Sequence, residues 1–85
     1  MRNKDIIRTL IENGFSQALS ALPIENNANK TFFKFKNAYL FFNPSSNTIL
    51  KIEDYFLTII KDNDKFTTKT FSESASLLLQ EFINS

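Results

Sequence analysis

Thr31–Phe42 reads TFFKFKNAYLFF, six aromatic rings in twelve residues. Bulky rings pack well on a pleated, half-buried surface, so the stretch predicts two adjacent strands of an antiparallel sheet. Successive strand side chains point to opposite faces, and parity sorts them. Phe33 and Phe35 share one parity, while Lys30, Phe32, Lys34 and Lys36 share the other. That distribution predicts core on the Phe33/Phe35 side and, on the other, a basic surface bearing one ring. Asn37-Ala38 offers the reversal, because Asn tolerates turn geometry. The second segment, Tyr39-Leu40-Phe41-Phe42, is apolar at both parities, which predicts cover on both faces.

Outward from this stretch, Asn3 is placed to cap a first helix, with Asp5 in its first turn near the positive end of the dipole. Ile6, Ile7, Leu10 and Ile11 form one apolar stripe at helical spacing. Arg8 and Glu12 are set to pair at i, i+4, and Gly14 suits a left-handed helix end. Phe15, Ala18, Leu19 and Leu22 keep helical spacing up to Pro23, so a short second helix is expected there, with a strand as the alternative. Ile24–Lys30 reads as a loop.

Beyond the aromatic pair, Asn43-Pro44-Ser45-Ser46-Asn47 is a turn signal. Thr48–Glu53 alternates, with Leu50 and Ile52 on one face and Ile49, Lys51 and Glu53 on the other. Tyr55–Ile60 is a further strand, nearly apolar on both faces, with a turn or a bulge at Glu53-Asp54. Lys61–Lys65 is a polar hairpin loop, and Phe66–Thr70 is a short edge strand. A last helix starts near Thr70–Ser72, either as a capping box of Thr70 with Glu73 or with Ser72 as cap. Ala75, Leu78, Leu79, Phe82 and Ile83 are its buried stripe, and Leu77 points away. The fold class is therefore α+β in a single domain over residues 1–85: one N-terminal helix or two, an antiparallel sheet of four to five strands, and a C-terminal helix.

Composition removes much chemistry. The 85 residues include no cysteine and no histidine, and their single glycine is Gly14. Thiolate metal sites, thiol nucleophiles, imidazole bases and Gly-rich phosphate loops are thereby excluded. Asp62, Asp64 and Glu73 fall at positions 1, 3 and 12 of a calcium-loop template, but Phe66 and Thr67 occupy its fifth and sixth positions, where a ligand and a glycine are needed. Glu53 and Asp54 are strand neighbours and point apart. Ser72 and Ser74 lack a base and are better read as caps. Neither catalysis nor a metal or cofactor is expected.

Net charge is +1, unevenly spread. Residues 1–52 carry seven basic against three acidic groups, and residues 53–85 three basic against six acidic. No signal-peptide pattern or membrane-length apolar run is present, so a cytoplasmic setting without membrane contact is expected. Usage rich in Asn, Lys, Ile and Phe implies AT-rich codons, as in mobile elements.

Two strands apolar on both faces and two helices with one stripe each leave a surplus of rings. The leading expectation is a non-catalytic protein-binding module that occupies the surface of a larger partner, as a small inhibitor carried by a phage or other mobile element would. Phe32, Lys34, Lys36, Tyr39, Phe41, Phe42 and Tyr55 are the expected contact residues. The same surplus would serve a homodimer. The alternative is single-stranded nucleic-acid binding through Lys30, Phe32, Lys34 and Lys36, a ring flanked by cations.

Overall fold

The computed structural model describes residues 1–18 and 29–85. Its elements are α1 (Asn3–Glu12), β1 (Ser16–Gln17), β2 (Thr31–Phe35), β3 (Ala38–Asn43), β4 (Thr48–Ile52), β5 (Phe56–Lys61), β6 (Asp64–Lys69) and α2 (Glu73–Asn84). The strands form one six-stranded sheet in chain order, antiparallel throughout except that β1 runs parallel to β2. This is the α+β fold expected from sequence, with one more strand. The addition is β1, where Ser16 N–H donates to Lys30 O at 3.0 Å and Ala18 N–H to Phe32 O at 2.7 Å. The expected helix from Phe15 is therefore replaced by extended chain at Ser16–Gln17. The remainder of that expectation, and most of the Ile24–Lys30 loop, lies outside the described residues.

Short reversals set the antiparallel registers. Lys36-Asn37 joins β2 to β3 with Phe35 opposite Ala38, and Asp62-Asn63 joins β5 to β6 with Lys61 opposite Asp64. Lys36, Asn47 and Asp62 each take a positive φ near 55°, the local twist that tight hairpins need. The Glu53-Asp54 junction is a turn, closed by Glu53 N–H donating to Phe56 O at 2.9 Å.

Both helices cover the same side of the sheet. Ile6 and Leu10 of α1 and Ala75, Leu79 and Phe82 of α2 join Phe32, Phe41, Leu50, Ile52, Leu57 and Ile59 in one buried cluster. Phe15 enters it directly after α1 ends. Gly14, at φ +97°, turns the chain there in a conformation that L side chains rarely adopt. The Phe15 ring then stacks on Phe82 at 5.4 Å and meets Phe41 edge-on at 5.7 Å. Burying one such side chain stabilises by roughly 1.5–3 kcal/mol, so this aromatic junction anchors both helices to the sheet.

The helix ends differ from the expected caps. Arg2 holds the cap position of α1, and Asn3 instead donates from Nδ2 to Glu53 O at 2.9 Å, tying the helix to the β4–β5 turn. Arg8 pairs with Asp5 at 2.6 Å rather than with Glu12. Ser72 caps α2 by position only, its Oγ donating backward to Lys69 O. Within the α1 stripe, Ile11 is about half exposed while Ile6 and Leu10 are buried.

Candidate interaction face

Strand registers place three cross-strand rows on the sheet face opposite the helices. The first runs Phe35, Ala38, Glu53, Phe56 and Lys69. The second is Phe33, Leu40, Lys51, Thr58 and Thr67, and the third is Thr31, Phe42, Ile49, Ile60 and Lys65. Among the described residues no helix crosses this face. Phe33, Leu40, Phe42, Ile49 and Ile60 are half-buried there, and Phe35 and Phe56 are exposed. The apolar side chains crowd the β2–β3 side, and lysines line the β6 side. Among the described residues Glu53 is the face's one acid, and its carboxylate lies 3.8 Å from Lys51 Nζ. Lys65 and Lys69 are left as net positive charge. Thr58 is buried despite facing outward, its hydroxyl 3.0 Å from that of Thr67.

The face assignment of β2 reverses the one expected from its lysines. Phe32 is only 7% exposed and stacks on Phe41 at 4.6 Å in the core, whereas Phe35 on the other parity is 51% exposed. The lysines reach the helix-side rim by lying along rings: Lys34 Nζ sits 5.5 Å from the Tyr39 centroid, and Lys30 Nζ 5.5 Å from that of Phe15. Long aliphatic stems permit this, with the ammonium still in water. Lys36, in the turn, leans over Phe35 instead.

The expected contact residues are consequently not one surface. Phe32, Tyr39 and Phe41 belong to the helix side, and Lys34 rims it. Tyr55 is exposed on the β4–β5 turn, and Lys36 on the β2–β3 turn. Phe42 alone lies within the three open rows. Nor do Lys30, Phe32, Lys34 and Lys36 form a stacking platform, because the ring at its centre is sandwiched in the core. The residues not foreseen are Phe33, Phe35, Leu40, Ile49, Phe56 and Ile60.

Among the described residues, no helix is long and apolar enough to cross a membrane, and no three acidic side chains gather as metal ligands would. No family model, curated protein or solved structure matches the chain.

Proposed function

We propose that the protein is a non-catalytic binding module whose open sheet face occupies an apolar, acid-rimmed surface on a larger protein partner. One observation carries this reading: both helices lie on one side of the sheet, and the other side presents a continuous apolar patch. Patches of this kind on small proteins mark association surfaces, because leaving them in water costs free energy that a partner recovers. The choice of an acidic partner follows from charge. Among the described residues Lys65 and Lys69 have no acid opposite them on that face, and an acidic rim on the partner would complement them. Stoichiometric occupation of a partner surface in the cytoplasm is the mode of a small inhibitor, and a residue usage rich in Asn, Lys, Ile and Phe, which implies AT-rich codons, is in keeping with one encoded by a mobile element.

The test uses the full chain and Ile49→Lys, which places a charge at the centre of the patch without touching the core. Tagged wild type and variant are exposed to lysate of the native host, and the retained protein is purified and recombined. A 1:1 complex by light scattering, with cross-links from Lys65 or Lys69 to partner carboxylates and no binding by a folded Ile49→Lys, is the expected result. Equal retention by the variant would overturn the reading. So would a wild-type homodimer that Ile49→Lys dissolves, or retention of oligonucleotide in place of protein.

A further inference from the structure

The last strand of the sheet has a free edge. β6 pairs with β5 on one side and, among the described residues, with nothing on the other. All of its residues except Thr68 are exposed. The opposite edge strand, β1, is only two residues long, so β6 is the edge with template length. Thr70 N–H continues the ladder by donating to Tyr55 O at 3.0 Å, toward β5. Backbone groups alternate sides along an antiparallel strand, so Lys65 and Thr67 turn their N–H and C=O groups, and Lys69 its N–H, to the free edge, while Lys69 O already accepts from Ser72 N–H and Oγ.

Beside that edge lies a groove. Phe66, Thr67 and Thr68 of β6 and Ser74 and Leu78 of α2 line an open cleft of about 220 Å³. Phe66, on the helix side of the sheet, is 58% exposed at its mouth, and Leu78 forms part of its floor against the core. A strand edge beside a groove under a helix is the arrangement that accepts an added strand, with main-chain bonds giving affinity and alternate side chains giving choice.

We infer that the β6 edge binds an extended peptide segment of a partner, with the pattern acid–apolar–Thr–apolar–acid. Residues opposite Lys65 and Lys69 lie on the open face and meet two cations four positions apart, which selects an acid at each. Residues opposite Phe66 and Thr68 point to the groove side, where Phe66 and Leu78 select apolar side chains. The position opposite Thr67 takes a β-branched residue, as in the Thr58–Thr67 pair on its other side. The addition is antiparallel, the mode in which residues opposite Lys65, Thr67 and Lys69 turn their own N–H groups to β6. A second copy of β6 is the poorer occupant. In the two-fold register centred on Thr67, each Lys65 faces a Lys69 of the second copy, and like charges directly opposite repel.

The probe is a fluorescein-labelled peptide, Ser-Thr-Glu-Val-Thr-Val-Glu-Thr-Ser, titrated with the full-length protein and read by anisotropy and by amide NMR. Saturable binding is expected, with the largest amide shifts at Lys65, Thr67 and Lys69. N-methylation of the two Glu residues and the central Thr abolishes it. Lys65→Glu with Lys69→Glu weakens it about tenfold, and a peptide with Lys in place of both Glu residues restores it. Ile49→Lys, which disables the open face, leaves the peptide affinity unchanged, so failure here and failure of the partner reading are separable. The inference is overturned by an absence of saturable binding at millimolar peptide, by equal affinity of the N-methylated peptide, or by a wild-type homodimer whose β6 amides are already protected from exchange.

Discussion

Asn43 donates from Nδ2 to the carbonyl oxygen of Phe82 at 2.9 Å, joining the end of β3 to the last turn of α2 across 39 residues of sequence. Asn43 is fully buried, and its Oδ1 accepts Ser45 N–H at 3.1 Å, which also fixes the β3–β4 turn. One amide therefore bonds a helix-end carbonyl that Ser85 Oγ also reaches, orders a turn and completes its own hydrogen bonding. Asn43→Ala removes both bonds and leaves a cavity where a fully buried side chain stood, and losses of this type cost about 1–3 kcal/mol. Asn43→Asp removes the donor and puts a carboxylate beside the negative end of the helix, so it is expected to cost more than Ala at pH 7 and to recover on acidification. Thermal unfolding at pH 7 and pH 4 checks both the loss and its order.

Gly14 presents a different kind of constraint. Among the described residues a Cβ built there meets nothing nearer than Lys30 Cδ at 4.0 Å, so they leave it space. Strain is, because φ is +97°. Gly14→Ala is expected to destabilise by about 1 kcal/mol, and Gly14→Asn by less, since Asn tolerates positive φ better. Urea midpoints ordered Gly, Asn, Ala, at constant m-value, would bear this out. An unchanged midpoint for Ala would mean that the turn relaxes freely.

The Thr58–Thr67 hydroxyl pair sits on the open face with only Thr58 buried. Thr58→Val leaves the Thr67 hydroxyl to water, whereas Thr67→Val leaves a buried hydroxyl on Thr58 without its partner. Thr67→Val is therefore expected to be the more costly single change, and the double variant to be nearly as stable as wild type. The coupling expected from a double-mutant cycle is about 0.5–1.5 kcal/mol, measurable by chemical denaturation.

Much of this fold was legible from period and punctuation, and the face error shows where such reading stops. The alternation of Leu50 and Ile52 against Lys51 correctly identified the covered side of β4. The β2–β3 pair is apolar at both parities, so its own pattern is silent, and its lysines argued for the wrong side. Register was the stronger signal. With Asn43 opposite Thr48 across the turn, Phe41 falls opposite Leu50, and the Lys36-Asn37 reversal then puts Phe32 opposite Phe41. Strand parity propagated from β4 would have buried Phe32. β1 gave no periodic trace, being two residues of parallel pairing, and the spacing of Phe15 and Ala18 favoured a helix over the strand alternative although Ser16–Gln17 between them is extended. The open face was inferred as a surplus of rings, but its membership required knowing that both helices share one side.

That reversal is directly measurable in Phe32 and Phe33, adjacent residues of identical chemistry on opposite faces. Phe32 stacks on Phe41 inside the helix-covered cluster, and Phe33 lies beside Leu40 on the open side. Removing a core phenylalanine costs about 3–5 kcal/mol, a large share of the roughly 5–15 kcal/mol that holds a small domain together. Phe32→Ala is therefore expected to lower the melting temperature sharply or to leave the chain unfolded. Phe33→Ala removes contacts from a half-buried ring and is expected to cost clearly less than Phe32→Ala, because among the described residues no helix packs over it. Circular dichroism melts of the two variants give the comparison. Phe33→Ala should in addition weaken capture of the partner protein while the domain stays folded, a loss that a ring with a purely structural role would not produce. Equal destabilisation by the two substitutions would mean that the second face is as fully covered as the first, and the surplus on which partner binding rests would vanish.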